Sequence, residues 1–380
     1  MNRALRGFSG VLRGALPLAM AILLAACSSG PQKPKPAELS PGPNLIGVRQ
    51  AWISKVGEVA LPLNVRVLGQ SVVLASSDGT VAVLDARSGG DLWRASLGTP
   101  LSAGVGYDGQ RAAVITRGNE VVTLESGREV WRQRLNAVSL TAPLVAGGRV
   151  FVLGADRTVS AFDGQSGRRL WQQQRSGDAL VLRQAGVLLA VGDTLVVGLS
   201  GKLVGLNPLN GSVRWEAAIA SPRGVNDIER LVDLVAGVSR EGDVVCARAF
   251  QAAVGCVDAA RGSVLWTKPA VGATGVQGDR DLVFGTEADG TVAAWRRADG
   301  ERAWAQELLR YRNLGTPLVA GRSVVVGDGG GLLHFLSRED GSPVARVSTD
   351  GSAIAVAPVL AGNTLVVVTR NGGVFGFQPE

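Results

Sequence analysis

The sequence predicts an all-β chain, a β-propeller of eight blades with four antiparallel strands in each, and three observations carry that prediction. Tryptophan recurs at Trp52, Trp93, Trp131, Trp171, Trp215, Trp266 and Trp304, at intervals of 41, 38, 40, 44, 51 and 38 residues, so one supersecondary unit is repeated. The last six stand four residues after a glycine (Gly89, Gly127, Gly167, Gly211, Gly262, Gly300), and a further copy keeps Gly341 but carries Ala345. The composition suits sheets: 52 glycines, 46% hydrophobic residues with Val the most frequent and Leu abundant, and no long polar helical stretch.

In chain order, residues 1–26 come first. Arg3, Arg6 and Arg13 precede an apolar stretch from Leu16 to Ala26, too short for an ordinary bilayer-spanning helix, which reads as a cleaved export signal. It ends in Leu24-Ala25-Ala26-Cys27, which resembles the lipobox of bacterial lipoproteins. That resemblance implies that Cys27 becomes the lipid-bearing first residue, and two or more acyl chains anchor far more stably than one. In such lipoproteins Ser after the cysteine permits sorting to the outer membrane, so Ser28 implies the periplasmic face of that membrane. Residues 27–47 follow as a Pro-rich, extended, unpacked tether, and 48–380 as the propeller.

Each repeat then reads as a four-stranded meander. A short inner strand comes first, opened by Pro100, Pro143, Pro317 or Pro358 in four copies, where a strand's first residue need not donate to the ladder. Two Val-rich strands follow, as in Val150-Phe-Val-Leu and Thr158-Val-Ser-Ala-Phe-Asp163, and then the Trp strand. The tryptophan is expected to pack between neighbouring blades. Asp85, Asp163 and Asp258 recur at one turn of the unit, which marks turn chemistry and not catalysis. The last unit has Leu365-Val-Val-Val and Gly373-Val-Phe-Gly-Phe377 and then stops. Its missing outer strand is supplied by the orphan strand around Trp52, which joins both ends of the chain in one blade and sets the count at eight.

The net charge of +7 includes +3 from Arg3, Arg6 and Arg13, which leaves about +4 after cleavage, spread with no basic run interleaved with aromatics. Nucleic-acid binding is not expected. The single histidine, His334, rules out histidine triads and multi-histidine metal sites, and its alternating run Leu332-Leu-His-Phe-Leu336 places it on a strand surface. Cys246 and Cys256 lie on consecutive strands, five residues either side of a turn near Gln251. They face one another if the register holds, and an oxidising periplasm would bond them; a slip of one residue would separate them.

The Asp-x3-Gly-x3-Trp pattern resembles the repeat of pyrroloquinoline quinone dehydrogenases and of their non-enzymatic eight-bladed relatives, and is WD40-like in architecture. No adjacent cysteine pair of the kind those enzymes carry over their cofactor is present, and the chain is much shorter. Lipobox, tether, length and repeat number together resemble the BamB (YfgL) family, lipoproteins of the outer-membrane β-barrel assembly machine. Leu180-Val-Leu-Arg183 is similar to that family's Leu-x-Leu-Arg, and Ile228-Glu-Arg-Leu-Val-Asp233 to its Ile-Asp-Arg-Leu-x-Asp. The resemblance implies a non-enzymatic scaffold without cofactor that binds the barrel-inserting subunit BamA, and through it the rest of the complex, by these two stretches; nascent outer-membrane proteins are further candidate partners.

Spacing points to the same place. The two longest Trp intervals are consecutive and put extra residues near 176–186 and 218–235, and irregular insertions in a repeat array tend to lie on a binding face. Leu180 and Leu182 then serve as apolar anchors beside Arg183, with Asp233 as acceptor or as orienter of Arg183. The other reading has the leucines filling the inter-blade core and Asp233 capping a turn. Arg230 and Glu229 are weaker candidates, and Val235 replaces a second acid common in the family, which makes the contact less ionic. Two other functions stay open: a quinone-dependent periplasmic dehydrogenase, and a propeller lipoprotein that binds another envelope protein or a glycan.

Overall fold

The computed structural model describes residues 34–60, 64–175, 180–223, 225–226 and 230–380. Among them every regular element is a strand, and the strands form eight sheets of four. In seven sheets the strands follow chain order from an inner to an outer strand, as in Arg66–Leu68, Ser71–Ala75, Thr80–Asp85 and Asp91–Ser96. The eighth takes Val359–Ala361, Thr364–Val368 and Gly373–Pro379 from the end of the chain, and Val48–Lys55 as its outer strand. The ring therefore closes as expected, with Trp52 opposite Gly376 and Lys55 opposite Gly373.

The core is circular. Eight apolar clusters each join the facing sides of two neighbouring blades, so Val73, Val81 and Val83 of the first blade pack with Val105, Ala112 and Val114 of the second. Both faces of the two central strands are thereby buried, as with Val72 and Val73, both fully inaccessible. For that reason hydrophobic alternation cannot separate core from surface in this fold.

The tryptophans close these junctions. In all eight blades the outer strand bulges, so that the residue before the Trp position is skipped: Leu92, Val130 and Leu265 are among those displaced, and they are exposed. A bulge adds local twist, and here it turns the indole onto the next blade. There the indole lies on the hairpin glycine: Trp52 on Gly89, whose Cβ would run into the ring and whose φ is +70°, and likewise Trp215 on Gly262 at φ +69°. Five indoles also donate Nε1–H to a carbonyl of the neighbouring blade, as Trp131 does to Gly164 O at 2.9 Å.

Ala345 now has a physical reason. The third and outer strands of the eighth blade come from opposite ends of the chain, so that blade has no hairpin glycine to receive an indole. The seventh blade carries Ala345 at the Trp position, opposite Phe335, and Phe375 and Phe377 fill the junction as a stacked pair 6.2 Å apart.

Three expectations need correction. Pro143, Pro317 and Pro358 directly precede their inner strands, but the inner strand of the second blade begins at Gly106, well beyond Pro100. Residues 37–47 are not an unpacked tether: Ala37–Glu380 is one compact unit, and Leu39 packs against the cluster between the sixth and seventh blades. His334 is not a surface residue. It is 3% exposed and its Nε2 lies 3.0 Å from Asp328 Oδ2, because its strand is covered on both faces.

Candidate functional site

Strand alternation puts two kinds of connection on one face of the ring: the turns between second and third strands, and the links from each outer strand to the next blade's inner strand. Both insertions are links of the second kind. One runs from Arg169–Gln174 to Leu188–Val191, the other from Val213–Ala218 to Leu234–Glu241. Residues 176–179, 224 and 227–229 lie outside the described residues, Ile228 and Glu229 among them, as does Cys27.

The two insertions are joined. Asp233 Oδ2 accepts the Leu182 backbone N–H at 2.9 Å, Ala236 N–H donates to Ala185 O at 2.8 Å, and Gly186 bridges to Val235. A carboxylate acceptor makes the first of these a charge-assisted bond, stronger than a neutral one. Asp233 thus holds the 180–186 loop and does not bond Arg183, which is exposed. Gly186 N–H also donates to Thr141 Oγ1 at 2.8 Å, so the loop is fixed to the third blade as well.

The result is a shaped surface. Leu180 is 39% exposed, Leu182 is half-buried over a cavity of about 50 Å³ walled by Leu153, Arg157, Ala185 and Asp233, and Arg183 stands beside them in solvent. Neither leucine fills the inter-blade core. Val235 is 2% exposed and contributes no polar group to this surface. Arg230 is exposed on the second insertion, with its N–H on Asn226 O.

Arg157 is the residue the sequence reading missed. It sits in the turn between second and third strands of the third blade, 8% exposed, and its Nη2 donates to Leu180 O at 3.4 Å. A signal was present. Each of the eight equivalent turns places a residue at positive φ; five use Gly79, Gly201, Gly290, Gly331 and Gly372, whereas the other three use Asn119, Gln251 and Arg157, the last at φ +62°. Long side chains rarely adopt that conformation; Gln251 does so too, but Arg157 is the one whose side chain reaches an insertion, at Leu180 O.

Elsewhere the repeated carboxylates are structural. Asp85 Oδ1 accepts Arg87 N–H, Ser88 N–H and Ser88 Oγ–H, and the Ser88 bonds lower its carboxyl most; Asp163 repeats the pattern with Ser166 and Gln165. Cys246 and Cys256 are register partners across the fifth blade, their Cα atoms 3.9 Å apart and their sulfurs joined, and Arg297 Nη1 lies 3.1 Å from Cys246 Sγ. The inner strands surround a central channel of about 630 Å³. Its described lining has Arg66 as the sole charged residue and no carboxylate, so it offers neither an anionic ligand for a divalent cation nor a general base. These residues do not fit a quinone and its cation.

Comparison with known proteins now bears on this geometry. Residues 77–306 and 311–380 match the family model described as outer membrane protein assembly factor BamB. The assembly factor BamB of Burkholderia pseudomallei (strain K96243) is 38% identical over 376 residues, spanning 97% of this chain and 99% of that protein. BamB of Bordetella pertussis (strain Tohama I) is 37% identical, spanning 95% of each. Among solved structures, BamB from Moraxella catarrhalis superposes with a TM-score of 0.77 at 24% identity over 86% of this chain and 99% of that one. The quinohemoprotein alcohol dehydrogenase of Comamonas testosteroni superposes at 0.68 and 14% identity over 88% of this chain and 77% of that one, which is a likeness of fold alone.

Proposed function

Because this chain belongs to the BamB family of outer membrane protein assembly factors, we propose that it acts as a scaffold that docks on BamA through the joined insertions and catalyses no covalent change. It serves assembly of proteins into the outer membrane, and the family membership carries that statement. The docking surface is Leu180, Leu182 and Arg183, held by Asp233 and Arg157. The bond from Leu182 N–H to Asp233 Oδ2 is the observation that carries it, because it turns two separate irregularities into one surface.

The chemistry suits a protein partner. Leu180 offers apolar area, Arg183 a planar donor fork for a carboxylate, and the loop is already ordered by its own bonds, which lowers the entropy lost on docking. Cys27 carries the lipid, the chain faces the periplasm, and the Cys246–Cys256 bond forms there. The channel's lack of carboxylates favours this reading over the dehydrogenase one.

The test is a pull-down of the periplasmic domain of BamA by the soluble form from residue 28, with wild type and Leu182→Ala/Arg183→Ala compared. Retention by wild type and loss by the folded variant is the expected outcome. Retention by both would discard this surface, and no retention by wild type would favour another envelope partner.

A further inference from the structure

The tether would be expected to leave the propeller where the outer strand of the eighth blade begins, at Val48. That end of the strand lies on the face away from the joined insertions, since Val48–Lys55 runs from Pro379 to Gly373 and Gly373 follows a turn between second and third strands. The chain does not leave there. Residues 37–47 run down the outside of the seventh blade as a strap and end on the opposite face.

Its bonds trace the path. Glu380 N–H donates to Gly47 O at 3.2 Å and Leu45 N–H to Val344 O at 3.0 Å, beside the outer edge of Pro343–Ser348. Arg346 Nη1 donates to Ser40 O at 3.2 Å, Arg312 Nη1 to Ala37 O at 2.9 Å, and Ala37 N–H to Arg310 O at 2.9 Å. Arg310 and Arg312 belong to the link between the sixth and seventh blades, the same kind of connection as the two insertions. Arg312 is itself held by Asp328, whose carboxylate is fully buried and also accepts Gly330 and Leu332 N–H. Leu39 supplies the apolar anchor, and Pro41 and Pro43 restrict the backbone, which reduces the entropy lost on docking.

We infer that the face carrying Leu182 and Asp233 is the membrane-proximal face of the propeller, because the strap makes the chain depart from that face at Ala37. The inference rests on the reading of Cys27 as lipid-bearing. From Cys27 to Val48 an extended chain spans at most about 70 Å, from Cys27 to Ala37 at most about 35 Å. Docking the strap therefore halves the reach and moves the point of departure across the height of the ring. A partner that meets this face meets it on the side turned to the lipid surface.

The experiment uses the full lipidated chain in vesicles of phosphatidylethanolamine and phosphatidylglycerol that contain an acceptor-labelled lipid. A donor dye is placed by Arg370→Cys, at a turn on the face where Ala37 sits, or by Arg322→Cys, at an exposed turn on the other face. Energy transfer is expected to be greater from position 370. Leu39→Asp, which frees the strap from the cluster between the sixth and seventh blades and alters no strand residue, is expected to abolish the difference. Equal transfer from the two positions in the otherwise unaltered chain, or greater transfer from 322, would overturn the inference. Flotation of the same vesicles separates the two readings: chains that fail to float contradict the lipid at Cys27 itself, and the inference falls with it.

Discussion

The junction between the first and second blades and the sector from the third to the fifth are built from the same repeat, yet they do different work. In the first, Trp93 faces Gly127, Val73 and Val114 meet in a dry cluster, and the connecting chain is short. In the second, the same indoles close the ring, with Trp171 on Gly211 and Trp215 on Gly262, but two long links rise above them and are joined to each other. The regular junction spends its residues on burial. The irregular sector leaves Leu180 and Arg183 in solvent and uses Asp233, Arg157 and Thr141 to hold them there. Repeated residues make the ring, and departures from the repeat make the surface a partner can read.

That contrast can be broken by measurement. The largest effect is expected from Trp131→Ala, which removes a buried indole and its bond to Gly164 O; a loss of about 3–5 kcal/mol should appear as a lower midpoint in urea unfolding. Replacing Cys246 and Cys256 together with alanine should cost about 2–3 kcal/mol through the freed unfolded chain, and reductant should then no longer lower the melting temperature.

Acid should act on the ring as well. Burial by itself would raise the Asp328 carboxyl, but bonds from His334, Leu332 N–H and Arg312 hold it at about 2. Its folded value lies below the unfolded one, so its contribution of about 2 kcal/mol is complete above the ordinary carboxylate range and disappears as pH falls toward 2. Asp328→Asn should flatten that part of the stability profile measured by urea titration at successive pH values.

The smallest change in stability is expected from Asp233→Ala, about 1.5 kcal/mol for one surface-loop bond to a charged acceptor, with a large loss of BamA retention. If Asp233→Ala instead unfolded the protein as Trp131→Ala should, the division between ring and surface would be wrong.

Much of this was legible in the sequence because a repeat states its own geometry many times. The recurring Trp predicted an indole between neighbouring blades, the orphan Trp52 strand predicted closure, and the two long intervals located the insertions. What stayed hidden depends on single contacts between residues far apart. The strap is invisible because Arg312 and Arg346 reach carbonyls 275 and 306 residues away. His334 was misplaced because both faces of a blade are buried, so its apolar neighbours on either side carried no information about exposure. Asp233 bonds the Leu182 backbone and not Arg183, a contact across 51 residues that neither motif nor spacing states.

The most direct test of the central claim is site-specific photocrosslinking in cells whose only copy of this chain carries the crosslinker at position 183, or at position 87 on the far face as a control. The account predicts a crosslinked product with BamA from position 183 that is absent from position 87 and lost on adding Asp233→Ala. A product of equal yield from position 87, or none from 183 in a stable protein, would contradict it.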